Sequence, residues 1–219
     1  MSHLVRNVTA WALALLMAPT LALAQATPAK VPQDLQVRLQ EAGRDTTVHD
    51  ALYKLGRKAA AVCAYCHGDG GNSTKSDVPN LAGQNPAYLL EQVRQFADGR
   101  RKNEFMQGMI KALKDDEKVG VVLFFSSQAV VPRPAGAAAL VSQGKSYYER
   151  ICFRCHGTDG RGNEKVARIA GQQTDYLQLT LKRYRSGSGE RIDPLMAANT
   201  RNMSDADIQA VVAYVSSMP

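Results

Sequence analysis

All four cysteines of the chain belong to two copies of one short motif, Cys-X-X-Cys-His. The first copy occupies residues 63–67, and the second occupies residues 152–156, 89 residues later. In this motif the two thiols add across the vinyl groups of a haem, and the histidine ligates the iron from one face. One turn of helix would place both sulfurs and the imidazole along one porphyrin edge. The motifs predict two covalent c-type haem groups held by these donors: Cys63, Cys66 and His67 in the first, Cys152, Cys155 and His156 in the second.

A zinc site and a pair of disulfides are the other interpretations of four cysteines. Zinc would require four ligands that converge from both motifs. Disulfides would not require a histidine after each cysteine pair. Because no cysteine is left over and each pair is followed by its histidine, haem is favoured over both.

The sixth position on each iron is either filled by a second protein ligand or open for chemistry. Each half contains two candidate methionines, but only Met106 and Met196 are related by the 90-residue offset that also relates the last helices of the halves. Met109 and Met203 have no methionine opposite them. We predict that Met106 and Met196 complete two His/Met haems, the alternative being methionine as a flexible core residue. A thioether ligand raises the reduction potential of the haem iron and occupies the position at which peroxide would bind. Two such irons predict an electron carrier.

The segments that must position these donors repeat as well. Residues 81–84 match residues 169–172, and amphipathic helical patterns follow in each half, with no alternating run long enough for a strand. We predict an all-α fold of two tandem cytochrome c domains, at residues 51–128 and 139–219. Residues 129–138, which contain two prolines and a glycine, form the predicted linker. A domain of this size buries little apolar surface by itself, and one covalent haem at the centre of each would offset that deficit.

The beginning of the chain has the pattern of a secretory signal. Arg6 precedes an apolar core at residues 11–23, and a small-X-small site ends at Ala24. A membrane anchor is the alternative, but the apolar stretch is short and Pro19 interrupts it. Since c-type haem is attached outside the cytoplasm, we predict cleavage after Ala24 and a periplasmic protein. Residues 25–50 then form an N-terminal extension that the second half lacks.

The net charge is +7, and basic residues cluster at 100–102 and at 182–185 with Arg191. Haem propionates would offset part of this excess, and export argues against a nucleic-acid partner. Such runs are usually solvated surface. The alternative is a basic face that steers docking to an acidic redox protein or to anionic lipid head groups, as a peripheral association with the membrane.

With these motifs in order in both halves, residues 55–219 resemble the cytochrome c4 family, the tandem dihaem class I cytochromes c. The resemblance implies two helical domains whose haems face each other across a pseudo-twofold interface. It also implies electron transfer from a cytochrome bc complex or a dehydrogenase to a terminal haem–copper oxidase. In such domains a proline carbonyl accepts a hydrogen bond from the haem histidine; Pro79 fits, whereas the second half has Ala167. That departure predicts two electronically different haems.

Two rival functions remain at this point. A dihaem peroxidase or a sulfur-compound oxidase would need one iron with an open or exchangeable position, which two methionines in register argue against. A cytochrome subunit of a periplasmic dehydrogenase would use residues 25–50 as its docking piece. No residue pattern identifies a catalytic group.

Overall fold

The structure is a computed structural model that describes residues 34–134 and 136–219. The predicted signal sequence and the first part of the extension lie outside the described residues. The described chain contains α-helices, one 3-10 turn at Asp69–Gly71 and no strand, so the all-α prediction is confirmed. In chain order the α-helices are α1 (Leu35–Arg44), α2 (Thr46–His67), α3 (Pro86–Asp98), α4 (Glu104–Ala112), α5 (Asp115–Ser126), α6 (Ala138–Tyr148), α7 (Phe153–His156), α8 (Thr174–Ser186), α9 (Pro194–Thr200) and α10 (Asp205–Ser216).

The first half is organised by the crossing of α2 and α5, with α3 packed against α5. Gly56 and Gly120 meet where the two long helices cross, and a Cβ atom on Gly56 would lie 1.9 Å from the carbonyl oxygen of Gly120. The backbones therefore approach more closely than any side chain would allow. Leu52, Leu90 and Val122 are buried in the hydrophobic cluster beside this crossing.

The second half repeats the crossing with α6 and α10. Gly144 takes the place of Gly56, and a Cβ atom there would lie 1.9 Å from the carbonyl oxygen of Ala210. Ile208 and Val215 are fully buried in a second hydrophobic cluster. The helix α10 begins at a capping box in which Ser204 accepts the Asp207 N–H and the Asp207 carboxylate accepts the Ser204 N–H.

Helix α1 is the part of the extension that has no counterpart in the second half. It begins after Asp34, whose carboxylate accepts the N–H of Gln36 at 2.8 Å. Leu35 and Leu39 pack against the first hydrophobic cluster, and Arg38 donates to Asp116 of α5 at 3.0 Å. The structure therefore places this part of the extension against the first half of the protein.

The described residues of the segment between the halves, 129–134 and 136–137, contain no helix, and α6 begins at Ala138. The side chain of Asn72 binds the first residues of this segment. Its amide group donates to the Ala129 carbonyl at 2.9 Å, and its oxygen accepts the Val131 N–H at 2.9 Å. None of the described helices has the length and hydropathy needed to span a membrane.

Candidate haem-binding sites

The first Cys-X-X-Cys-His motif lies on helix, as its spacing predicts, and the second lies on helix from its second residue onward. The first forms the last turn of α2, which ends at His67. The second lies at α7, where Cys152 precedes the helix and His156 ends it. All four cysteines are free thiols. Burial raises the pKa of Cys63 and raises that of Cys152 to about 11, so these thiols are held protonated in the bare protein.

Each motif histidine is buried and held by one main-chain carbonyl. The Nδ1–H of His67 donates to the carbonyl of Pro79 at 2.9 Å, and that of His156 donates to the carbonyl of Ala167 at 2.9 Å. Burial lowers the pKa of both imidazoles, and the hydrogen bonds oppose that shift. With Nδ1 engaged, Nε2 is the nitrogen that each ring offers to a metal.

The second half achieves this hydrogen bond without proline, at the same donor–acceptor distance. The carbonyl of Ala167 lies against Gly162, where a Cβ atom would be only 2.5 Å from the Ala167 oxygen and 2.3 Å from that of Val166. Gly162 also has a φ of 63°, in the left-handed region that glycine tolerates. The loop is therefore fixed by close backbone packing, which a search for a second proline misses.

The two methionines that we predict as ligands occupy equivalent places at the starts of two helices. The Met106 N–H donates to the side chain of Asn103 at 2.9 Å, and the Met196 N–H donates to the side chain of Asp193 at 3.0 Å. Both side chains are partly exposed. Met203, by contrast, is only 4% exposed and belongs to the second hydrophobic cluster. Its surroundings are those of a core residue.

The donor set of each half fits a haem c group. Each half has two thiols and a buried imidazole with Nε2 available in its motif, and a methionine on a short capped helix elsewhere in the same half. The described residues contain no cluster of three or more histidine, cysteine or acidic side chains that could hold a metal ion. The four thiols therefore do not converge as a zinc site requires.

A reciprocal pair of glutamines joins the two halves. The side chain of Gln84 donates to the carbonyl of Arg168 at 2.8 Å and accepts its N–H at 2.7 Å. Gln172, the equivalent residue, donates to the carbonyl of Asn80 at 3.0 Å and accepts its N–H at 2.7 Å. Each half thus satisfies the same main-chain groups of the other half, as a pseudo-twofold relation requires.

Part of the positive charge in the two basic clusters, residues 100–102 and residues 182–185 with Arg191, is neutralised by neighbouring carboxylates. Three of their arginines pair with carboxylates: Arg183 with Glu190 at 2.5 Å, Arg185 with Asp205 at 2.6 Å, and Arg100 with Glu91 at 2.9 Å. Arg101 and Arg191 instead reach tyrosine hydroxyls across the junction between the halves. The sequence alone predicts these two on a solvated surface or, alternatively, on a basic docking face. The signal that could have distinguished them is their 90-residue offset, the same as that of the methionines.

Known proteins resemble the chain over most of its length. The cytochrome c family matches residues 141–219. A cytochrome c4 from Thiocapsa roseopersicina is 35% identical over an alignment of 176 residues. The alignment covers 74% of this chain and 89% of the relative. A thiosulfate dehydrogenase electron acceptor from Thiomonas intermedia is 34% identical and covers 73% of this chain and 80% of its own length. The solved structure of reduced cytochrome c4 from Pseudomonas stutzeri superposes with a TM-score of 0.70 at 30% identity, covering 76% of this chain and 98% of that one.

Proposed function

The chain belongs to the cytochrome c4 family, binds two covalent haem c groups and takes part in electron transfer, and from this we propose that it is a periplasmic carrier of two electrons without a substrate reaction of its own. Bound haem supplies one-electron redox chemistry at its iron. The protein residues bind and orient that group and determine whether its iron is open to other ligands.

The proposal assigns four residues to covalent attachment and four to the irons. Cys63, Cys66, Cys152 and Cys155 would form the covalent links, and His67, His156, Met106 and Met196 would ligate the two irons. The observation that carries the assignment is the equivalent capping of both methionines, which sets two candidate thioethers in the same position of two repeated helices. Six-coordinate irons leave no position for peroxide, which is why we infer a carrier.

The donor and the acceptor are the finer part of the proposal. We infer a cytochrome bc complex or a periplasmic dehydrogenase as donor and a terminal haem–copper oxidase as acceptor. A dehydrogenase donor gains support from the relative that is named a thiosulfate dehydrogenase electron acceptor. Helix α1 packs on the body of the first half through Leu35 and Leu39, which favours a free carrier over a subunit that needs its extension for docking.

The test uses protein matured in a periplasm. Mass spectrometry should show two added haems and loss of residues 1–24, and the pure protein should be low-spin in both oxidation states. Stopped-flow absorbance should show rapid reduction by thiosulfate dehydrogenase or by a bc complex, and rapid oxidation by membranes that contain a haem–copper oxidase. Fast carbon monoxide binding at one haem, together with peroxide turnover that persists through purification, would instead establish the enzyme interpretation.

A further inference from the structure

One side of helix α2 is exposed from the middle of the helix to the first haem motif. Seven exposed residues lie on it at helical spacing: Ala51, Lys54, Leu55, Lys58, Ala61, Val62 and Tyr65. We call these seven residues the outer face of α2. The opposite side of the helix is buried and contains Leu52, Gly56 and His67. The helix therefore directs its predicted iron ligand inward and the outer face to solvent.

The outer face contains large apolar side chains beside the first haem motif. Leu55 is 42% exposed, Val62 is 52% exposed and Tyr65 is 83% exposed. Tyr65 stands between the two cysteines of the motif, so a molecule that contacts its ring lies next to both thiols of the first site. Large aromatic side chains contribute much of the contact energy in protein interfaces. The outer face thus combines an apolar contact area with access to the first haem site.

The positive charges of the outer face are not neutralised by the protein that surrounds them. Lys54 and Lys58 lie on the face, and the exposed Arg57 lies at its border. None of the three has a carboxylate within 4.0 Å among residues 34–134 and 136–219. The sequence contains no acidic residue between Asp50 and Asp69. These cations are therefore available to carboxylates of another molecule.

The corresponding helix of the second half does not repeat this surface. Helix α6 ends at Tyr148, before the second motif. Polar residues replace the two lysines and the tyrosine of α2, namely Ser142, Ser146 and Arg154. The lysine that α6 does carry, Lys145, lies 3.8 Å from the carboxylate of Glu149. The combination of apolar side chains and unpaired lysines beside a haem motif therefore belongs to the first half.

We propose that the outer face of α2 is the docking surface for an acidic one-electron redox protein that exchanges electrons with the first haem. This inference rests on the proposed function. One electron passes between the partner and the first haem, one centre is oxidised as the other is reduced, and no bond or proton moves. Val62 and Tyr65 form the apolar centre of the contact, and Lys54 and Lys58 steer the partner towards it. Transient redox interfaces are small, which suits a single helix face.

The charge of the outer face favours this partner over a second copy of the chain. Two copies in contact through α2 would bring their unpaired lysines together with no carboxylate between them, and like charges repel. A lipid surface of anionic head groups would attract the lysines. Its binding, however, increases with the apolar area that a helix buries, to which the two alanines of the face add little. A lipid surface also offers no redox centre to the motif beside Tyr65.

The first experiment measures electron exchange of the holoprotein with thiosulfate dehydrogenase and with membranes that contain a haem–copper oxidase. Lys54→Gln/Lys58→Gln removes two charges from the outer face. Its control, Lys111→Gln/Lys165→Gln, removes two exposed charges outside α2. With at least one of the two partners, the α2 variant should show a second-order rate constant about tenfold lower at low salt. That rate constant should also depend less on ionic strength than in the wild type, whereas the control should behave as the wild type does.

The second experiment tests the apolar centre and identifies the haem. Tyr65→Ser should lower the same rate constant at every salt concentration, because it removes contact area but no charge. Arg154→Ser changes the equivalent position of the second motif and should not slow the reaction. Mass spectrometry should show two haems in both variants. If Tyr65→Ser fails to mature, the two lysine variants decide the question.

The outcomes separate the docking surface from the proposed function. Unchanged rates with both partners in the α2 variant would overturn the docking surface while the carrier assignment stands. A loss of rate in Arg154→Ser but not in Tyr65→Ser, or an equal loss in the lysine control, would overturn it as well. If the wild-type holoprotein exchanges electrons with neither partner, the proposed function itself is wrong.

Two further measurements test the other occupants of the outer face. Binding to phosphatidylglycerol vesicles that is lost in the α2 lysine variant, with unchanged exchange rates, would assign the face to lipid and overturn the proposal. A dimer in sedimentation velocity that Tyr65→Ser dissociates would assign it to a second copy. We expect a monomer whose exchange rates, and not its vesicle binding, depend on Tyr65.

Discussion

At the residue scale, the main-chain carbonyls of Pro79 and Ala167 orient the two histidines that we propose as haem ligands. The Cys-X-X-Cys-His motifs predict six donors without any knowledge of the fold, and the 90-residue offset predicts Met106 and Met196 as the remaining two. The role of Gly162 was not predictable. A sequence shows that Ala167 is not proline, but it does not show which backbone atoms pack against the Ala167 carbonyl.

Replacing the assigned methionines should change the spectrum, whereas replacing the buried methionine should change stability. We expect Met106→Ala and Met196→Ala each to remove half of the methionine–iron absorbance band and to lower one potential, because each removes one thioether ligand. Met203→Ala should leave the band intact and destabilise the protein by about 2–5 kcal/mol, as truncation in a core does. Visible spectra and denaturant unfolding measure the two effects. Loss of the band in Met203→Ala or Met109→Ala would reassign the ligand.

Replacing Gly162 should affect only the second haem. A Cβ atom in Gly162→Ala would meet the Ala167 oxygen at 2.5 Å, so the carbonyl that holds His156 must move. We expect a changed potential at the second haem alone, with a stability loss above the ~1–2 kcal/mol of a left-handed alanine. Gly187→Ala is the control, since Gly187 has a φ of 66° but no atom within 4 Å. Equal effects of the two variants on the potential would rule out this role for Gly162.

At the element scale, the helix patterns were readable from the sequence, but the distance between helices was not. The apolar stripes of α3, α8 and α10 predict buried faces, and the buried residues lie on those faces. The sequence does not reveal that the backbones of α2 and α5 are in contact, because a glycine on a helix has the same local pattern whether its face is open or crowded. Gly56 and Gly108 show the two cases.

Alanine at the crossing glycines should therefore be destabilising. In Gly56→Ala and Gly144→Ala the added methyl would lie 1.9 Å from a main-chain oxygen of the partner helix. The helices must separate, and we expect a loss of about 3 kcal/mol, at the upper end of the usual cost of overpacking. Gly108→Ala, with no atom within 4 Å of the added methyl, should stabilise α4 by about 0.5–1 kcal/mol. Denaturant unfolding of all three variants tests the contrast, and a neutral Gly56→Ala would contradict it.

At the scale of the whole molecule, the repeat predicts two similar halves but not the contacts between them. The junction depends on side chains that bind main-chain groups, as Gln84 and Gln172 do, and such pairs leave no complementary charge or apolar pattern in a sequence. The same limit applies to Arg101 and Arg191. A run of basic residues in a sequence gives the net charge of the segment but not the direction in which each side chain points.

Replacing the two junction glutamines, Gln84 and Gln172, by alanine should lower the stability of the protein by different amounts. Gln172→Ala leaves the buried N–H and C=O groups of Asn80 without their partner, and we expect a loss of at least about 2 kcal/mol. Gln84→Ala should cost less, because its contacts with Arg168 are only partly buried. Gln40→Ala, at an exposed position of α1, should change stability by less than about 0.5 kcal/mol. Calorimetry measures the order, and a reversed order would contradict the geometry.

The reciprocal glutamine bonds determine which side chains the junction requires and which it does not. Position 80 is asparagine and its equivalent, position 168, is arginine, yet both are bound in the same way because the glutamines contact only main-chain atoms there. The side chains at these two positions can therefore differ without loss of the glutamine bonds. The same symmetry means that each half carries both a glutamine and the main-chain groups that the glutamine of the other half requires.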